Sequence, residues 1–155
     1  MTSAIALKPG LRTIVTAGAS GIGYTIATTL KAGGAEVWVC DISDDAIARF
    51  QAAHPDIPAH NVDIADRAQV DAFFDTALKA LGGLDVLVNN SGIAGPTARI
   101  EDIDPDAWDR TIAVNLNGQF YAARKAVPAL RAAGEGAIIN ISSCLLYTSP
   151  SPRDS

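Results

Sequence analysis

The sequence predicts an α/β protein built on a doubly wound parallel sheet. Short apolar runs alternate with longer amphipathic stretches, the order that βαβ units produce. The runs are short and apolar, as in Leu84 to Val88 and Ala137 to Ile141, which suits strands covered by helices on both faces. A glycine-rich turn separates the first such run from the first amphipathic stretch. Right-handed crossovers then place a ligand site at the carboxyl ends of the strands.

Arg12 to Thr16 reads as the first strand, and a helix follows from about Gly21 to Ala32, stopped by Gly33-Gly34. Glu36 to Cys40 is a second strand. Ser43 is placed to cap a short helix carrying Ile47 and Phe50. A third strand ends near Val62. Asp66 caps the next helix, where Val70, Phe73, Phe74, Ala77, Leu78 and Leu81 recur at helical spacing on one apolar face. Leu84 to Val88 forms the fourth strand. Asp104-Pro105 reads as an N-cap with proline at the first helical position. That helix runs, with a bend, to about Ala132, before a fifth strand from Ala137 to Ile141.

Bulk properties narrow the functional classes. The chain has 155 residues, enough for one domain. It is 48% hydrophobic and 19% charged, the balance of a globular protein with a large core. The net charge of −5 and the lack of any basic cluster argue against nucleic acid as a partner. No apolar run is long enough to span a membrane, and Met1 to Leu7 lacks the layout of a signal peptide. Cys40 and Cys144 form neither a disulfide framework nor a metal site, so a reducing cytoplasm is the expected compartment and no metal is expected. His54 and His60 flank a proline-containing loop with no partner in view for metal or acid–base work, and Trp38 and Trp108 are read as packing residues.

The turn Thr16-Ala17-Gly18-Ala19-Ser20-Gly21-Ile22-Gly23 leads from the first strand into the first helix. Glycine there lets backbone approach a pyrophosphate and lets the helix pack closely on the sheet. The helix N-terminus offers phosphates free N–H groups, here those around Ser20, Gly21, Ile22 and Gly23, and the positive end of its dipole. Gly18 is expected to keep the turn flexible. Asp41 ends the second strand, 20 residues after Gly21. A carboxylate there accepts hydrogen bonds from both ribose hydroxyls of an adenosine and repels a 2′-phosphate, which favours NAD(H) over NADP(H). The competing readings are a plain tight turn and an Asp41 that only caps the next helix.

This turn resembles the T-G-x-x-x-G-x-G turn of the short-chain dehydrogenase/reductase family, with Ala17 where the first glycine would stand. Further segments match that family in order. Asn61-Val62-Asp63-Ile64 resembles the segment whose aspartate, here Asp63, bonds the adenine amino group. Asn89-Asn90-Ser91-Gly92 resembles the N-N-A-G motif that steadies the sheet and lines the cofactor, with Ser91 replacing alanine. Asn115, in Val114-Asn115-Leu116-Asn117-Gly118, matches the helix asparagine that holds a water in a proton relay. Ser143, in Ile141-Ser142-Ser143, matches the catalytic serine that bonds the substrate oxygen. The resemblance covers about residues 11 to 143 and implies a Rossmann-like fold, hydride transfer between nicotinamide and an alcohol or carbonyl carbon, and a parent protein that is a homodimer or homotetramer.

The family's Tyr-x-x-x-Lys pair is expected to fall beyond residue 155. Tyr147 comes too soon after Ser143 and has Ser151, not lysine, four residues on. Tyr121 and Lys125 have the spacing but precede the serine, and at about 100° per residue Tyr121 points roughly 120° from Asn115. Tyr121 is read as a packing tyrosine and Lys125 as a solvated lysine. Residues 144–155 resemble the translation of a transposon-end sequencing adaptor, so residues 1–143 are read as an incomplete dinucleotide-binding domain, truncated after the fifth strand, and the remainder as a non-native or disordered tail. Apolar surface near the fifth strand is expected to stay exposed and solubility to be poor. The alternatives to an alcohol dehydrogenase or ketone reductase are a 3-oxoacyl thioester reductase, against which Asp41 argues mildly, and a non-catalytic nucleotide-binding fragment.

Overall fold

Strands β1 (Arg12–Thr16), β2 (Glu36–Asp41), β3 (Ala59–Asn61), β4 (Val86–Asn89) and β5 (Ala137–Asn140) form one parallel sheet in the order β3-β2-β1-β4-β5. The computed structural model describes residues 7–142. Helices α1 (Gly21–Ala32) and α2 (Asp44–Ala53) cover one face, and α3 (Arg67–Leu81) and α5 (Gly118–Ala133) cover the other. Side chains alternate accordingly. Ile14, Cys40 and Leu87 pack toward α3 and α5, while Val15, Val37, Val39 and Val88 pack toward α1 and α2. The strand order reverses between β1 and β4, which opens a crevice at their carboxyl ends.

The expected elements are all present, with ends shifted by a residue or two at β2, β3, β4 and β5. On α3, Val70, Phe73, Phe74, Ala77 and Leu81 are buried, and each of these side chains larger than alanine contributes roughly 1.5–3 kcal/mol. The Asp66 side chain accepts from the N–H groups of Ala68 and Gln69, and Gly82 ends the helix at φ 66°. Ser43 caps α2 and Asp104 caps α4 (Pro105–Ile112) in the same way. The expected bend after α4 is a π-helical turn, Ala113–Asn117, that runs directly into α5. At Gly118 a Cβ would lie 2.9 Å from Ile64 Cγ1, so glycine lets the helix start of α5 sit against that side chain.

Several sequence expectations need correction. Trp108 is 53% exposed, because α4 lays no side chain into the core. Trp38 does pack, stacked on His60 with ring centroids 5.0 Å apart. His54 is held in the packing on α2, its Nε2 lying 2.8 Å from the Tyr24 hydroxyl. Lys125 is not simply solvated but pairs with Asp75, and Arg124 pairs with Asp71; both tie α5 to α3. Tyr121 is half-buried against the core, as expected. Every residue of β5 is exposed, Ile139 to 48%. Among the described residues no helix is long and apolar enough to cross a membrane, and no cluster could hold a metal ion.

The amino ends of β1 and β4 are locked together. Arg12 Nε and Nη2 donate to the two oxygens of Asp85 at 2.9 and 2.8 Å, and the Arg12 backbone N–H adds a bond to Oδ2. The Asp85 side chain is only 8% exposed. These bonds from Arg12 hold its carboxyl at about 2, below the ordinary 3.8. At the other end of β1, Ala17 sits at φ 49°, the left-handed region.

Two outcomes follow for stability. The depressed Asp85 carboxyl adds about 2 kcal/mol of stability above pH 3.8, lost as pH falls toward 2. Asp85→Asn should therefore lower urea stability by about that amount at pH 7, and its deficit should close in acid; a pH-independent deficit would refute this. Ala17→Gly removes left-handed strain of about 1–2 kcal/mol against an unfolded-state entropy loss of about 0.4–1 kcal/mol. A net gain in urea stability is expected, and a loss would show that Ala17 is unstrained.

Candidate cofactor and active site

The crevice is framed by one hydrogen-bonded knot. Thr16 ends β1, and its buried Oγ1 accepts the backbone N–H groups of Asn90 and Ser91, each at 3.0 Å. Asn90 Nδ2 donates in return to the carbonyls of Thr16 at 3.1 Å and Ala17 at 3.0 Å. The start of α1 presses on this knot. A Cβ at Gly23 would lie 2.1 Å from the Ala17 carbonyl oxygen and 2.5 Å from Asn90 Nδ2. Only glycine fits there.

The turn itself is built for close backbone approach. Gly21 takes φ 55°. Gly18 does not serve flexibility, contrary to expectation. A Cβ there would lie 2.7 Å from Val39 Cγ1, so Gly18 lets the turn lie flat on β2, where its N–H bonds the Cys40 carbonyl at 3.0 Å. Ser20 is the N-cap of α1, yet its side chain makes no capping bond, unlike those of Ser43, Asp66 and Asp104. The first-turn N–H groups of Gly21, Ile22 and Gly23 thus lack a side-chain cap, the condition in which a helix N-terminus receives an anion. Ile22 stands 65% exposed beside them.

Next to the turn lies an open cavity lined by Ala17, Asp41, Asp63, Ile64, Ser91 and Gly92 of the expected set. Asp41 is buried, its Oδ2 accepting from the Ala19 N–H at 3.2 Å and its Oδ1 from the Ser43 N–H at 3.1 Å. Each oxygen keeps acceptor capacity. Asp63 Oδ1 accepts from the Ala65 N–H at 2.9 Å, and Arg110 of α4 grips both carboxylate oxygens at 2.9 and 3.1 Å. Burial acts to raise the Asp63 carboxyl, but the Arg110 and Ala65 bonds hold it below its usual range. Cys40 also lines the cavity; burial pushes its thiol up to about 12, so it is a neutral packing group.

Asn115 lies in the π turn, and both ends of its amide bond the same residue. Oδ1 accepts from the Ile93 N–H at 2.8 Å and Nδ2 donates to the Ile93 carbonyl at 2.9 Å. Its side chain therefore anchors the loop after β4, with one Nδ2 hydrogen and one Oδ1 lone pair unused among the described residues. Asn89 Nδ2 donates to Asn140 Oδ1 at 2.9 Å, joining β4 to β5 below the crevice. Ser143 lies outside the described residues, as does Tyr147. Sequence reading missed two groups. Thr16 belongs to the turn that the sequence marks, and its hydroxyl at a strand end is the one signal of its role. Arg110 carried no local signal, because its partner is 47 residues away.

A family model of short chain dehydrogenases matches residues 12–149. Among curated proteins, the chain is 38% identical over 130 residues to a 2-dehydro-3-deoxy-L-rhamnonate dehydrogenase (NAD(+)) from Sphingomonas sp. (strain SKA58), covering 84% of this chain and 52% of that protein. It is 36% identical over 138 residues to a D-beta-hydroxybutyrate dehydrogenase from Cupriavidus necator, covering 86% of this chain and 53% of that protein. A crystal structure of a candidate short-chain alcohol dehydrogenase from Sinorhizobium meliloti 1021 superposes with a TM-score of 0.84 at 32% identity, covering 95% of this chain and 60% of that one. The chain spans about half the length of the curated relatives it matches. With this sheet order, this turn and these matches, the chain belongs to the short-chain dehydrogenase family.

Proposed function

We propose that the protein is an NAD(H)-dependent oxidoreductase acting on an alcohol or ketone, and that this chain supplies its cofactor-binding half. The observation that carries the reading is Asp41, buried at the end of β2, lining the cavity and adjoining the uncapped start of α1. The first-turn N–H groups bind a pyrophosphate, and Ala17, Asn90 and Ser91 set its distance from the sheet. Asp41 uses its remaining lone pairs on ribose hydroxyls. It repels a 2′-phosphate, and Arg110, the one cation of the lining among the described residues, is already paired with Asp63. Asp63 and Ile64 form the adenine end of the site, and Ser91 with Gly92 the floor of the crevice. Asn115 fixes the loop over the site, and Ser143 bonds the substrate oxygen.

A bound nicotinamide supplies the hydride chemistry. On this reading residues 1–155 bind the cofactor. The full protein works in the cytoplasm as a homodimer or homotetramer; Leu116 and Phe120, each 62% exposed near the start of α5, support a protein partner there. A thioester reductase using NADPH is disfavoured by Asp41.

Titration calorimetry of this chain with NAD⁺ and NADP⁺ checks the assignment. NAD⁺ should bind on the order of tenfold more tightly, since one unscreened charge repulsion is worth at least that. Asp41→Ala should erase the preference, and Asp41→Asn, which keeps an acceptor for Ala19 or Ser43, should narrow it. Equal affinity in the unaltered chain would overturn the assignment.

A further inference from the structure

We propose that Arg110 is a positioning residue for base recognition, setting Asp63 so that it presents one acceptor site to a base amine in the cavity. The inference rests on the reading of Asp63 as the adenine-binding carboxylate. A carboxylate has about four lone-pair sites. In Asp63, Oδ1 spends its two on the Ala65 N–H and Arg110 Nη2, and Oδ2 spends one on Arg110 Nη1. One site remains, on Oδ2, in a residue that lines the cavity. The two-point grip of a planar guanidinium fixes the plane of the carboxylate as well as its position.

The surroundings support a placed carboxylate and not a casual surface pair. The Asp63 backbone N–H donates to Gln69 Oε1 at 2.9 Å, and the Asp63 carbonyl accepts from the Asp66 N–H at 2.9 Å, so the loop is braced independently of Arg110. Arg110 lies one turn before Val114, which lines the same cavity. α4 and the π turn thus reach two cofactor-facing loops, through Arg110 to Asp63 and through Asn115 to Ile93. With Arg110 removed, the carboxylate is free to turn and offers several acceptor sites, which weakens discrimination between bases.

The test compares NAD⁺ with nicotinamide hypoxanthine dinucleotide, whose base carries a carbonyl in place of the amine. This chain should bind NAD⁺ on the order of tenfold more tightly, the loss expected when a charge-assisted hydrogen bond is replaced by two facing acceptors. Arg110→Met should narrow that ratio to within about threefold, by weakening NAD⁺ while leaving the hypoxanthine analogue unchanged or tighter. Arg110→Lys, which keeps the charge without the fork, should fall between, and it decides the matter if the methionine variant does not fold. A merely structural role lowers both affinities together and leaves the ratio intact, which would overturn the proposal alone. No discrimination in the unaltered chain would overturn the Asp63 reading and the proposal with it.

Discussion

The knot between Thr16 and Asn90 is the constraint on which the site depends. Parallel strands β1 and β4 are neighbours in the sheet, but the chain turns outward after each, toward α1 in one case and the loop before α4 in the other. Nothing in a regular ladder holds two diverging strand ends together. Here one buried hydroxyl and one amide make four hydrogen bonds across the gap. Each buried group left unpaired would cost about 1–3 kcal/mol, so the knot is strongly coupled to the fold. Because Asn90 reaches the Ala17 carbonyl, it also fixes the turn that leads into α1, and Gly23 brings α1 against it.

The two ends of the sheet divide their tasks. At the amino end, Arg12 and Asp85 are paired with each other, and Arg12 Nη1 also donates to the Gly82 carbonyl in the turn that closes α3. That pair braces the strand ends and lies outside the cavity lining. At the carboxyl end, polar groups are placed but only partly used: Asp41, Asp63 and the first turn of α1 all retain capacity. Such spare capacity is costly in a closed core and useful where a ligand enters.

Much of this was legible in the sequence because its signals are local. Strands alternate with helices whose caps, Ser43, Asp66 and Asp104, sit where the side chains do cap. Ala17, Asp41, Asp63, Ser91 and Gly92 could be picked out by their order along the chain, and the structure gathers them around one cavity. Groups whose role depends on partners distant in sequence were not legible. Arg110 on an amphipathic helix looks like any solvated arginine until Asp63 is seen opposite it. Lys125 looked solvated for the same reason, with Asp75 hidden on another helix. Gly18 was misread because a close approach to Val39 leaves no mark on the local sequence. The bend after α4 was expected, but not its π form, nor that Asn115 in it reaches Ile93 and Gly118 beside it meets Ile64, both long-range facts.

The central claim is that the uncapped first turn of α1 and the adjoining knot form the seat of a dinucleotide. Amide chemical-shift mapping of the labelled chain during titration with NADH tests it most directly. The account predicts the largest shifts at the N–H groups of Ser20 to Gly23 and of Asn90 to Gly92, with those of Asp85 and the amino ends of the strands unmoved. Saturable binding that leaves residues 20–23 unshifted, or a folded chain that shows no shifts at all, would contradict it.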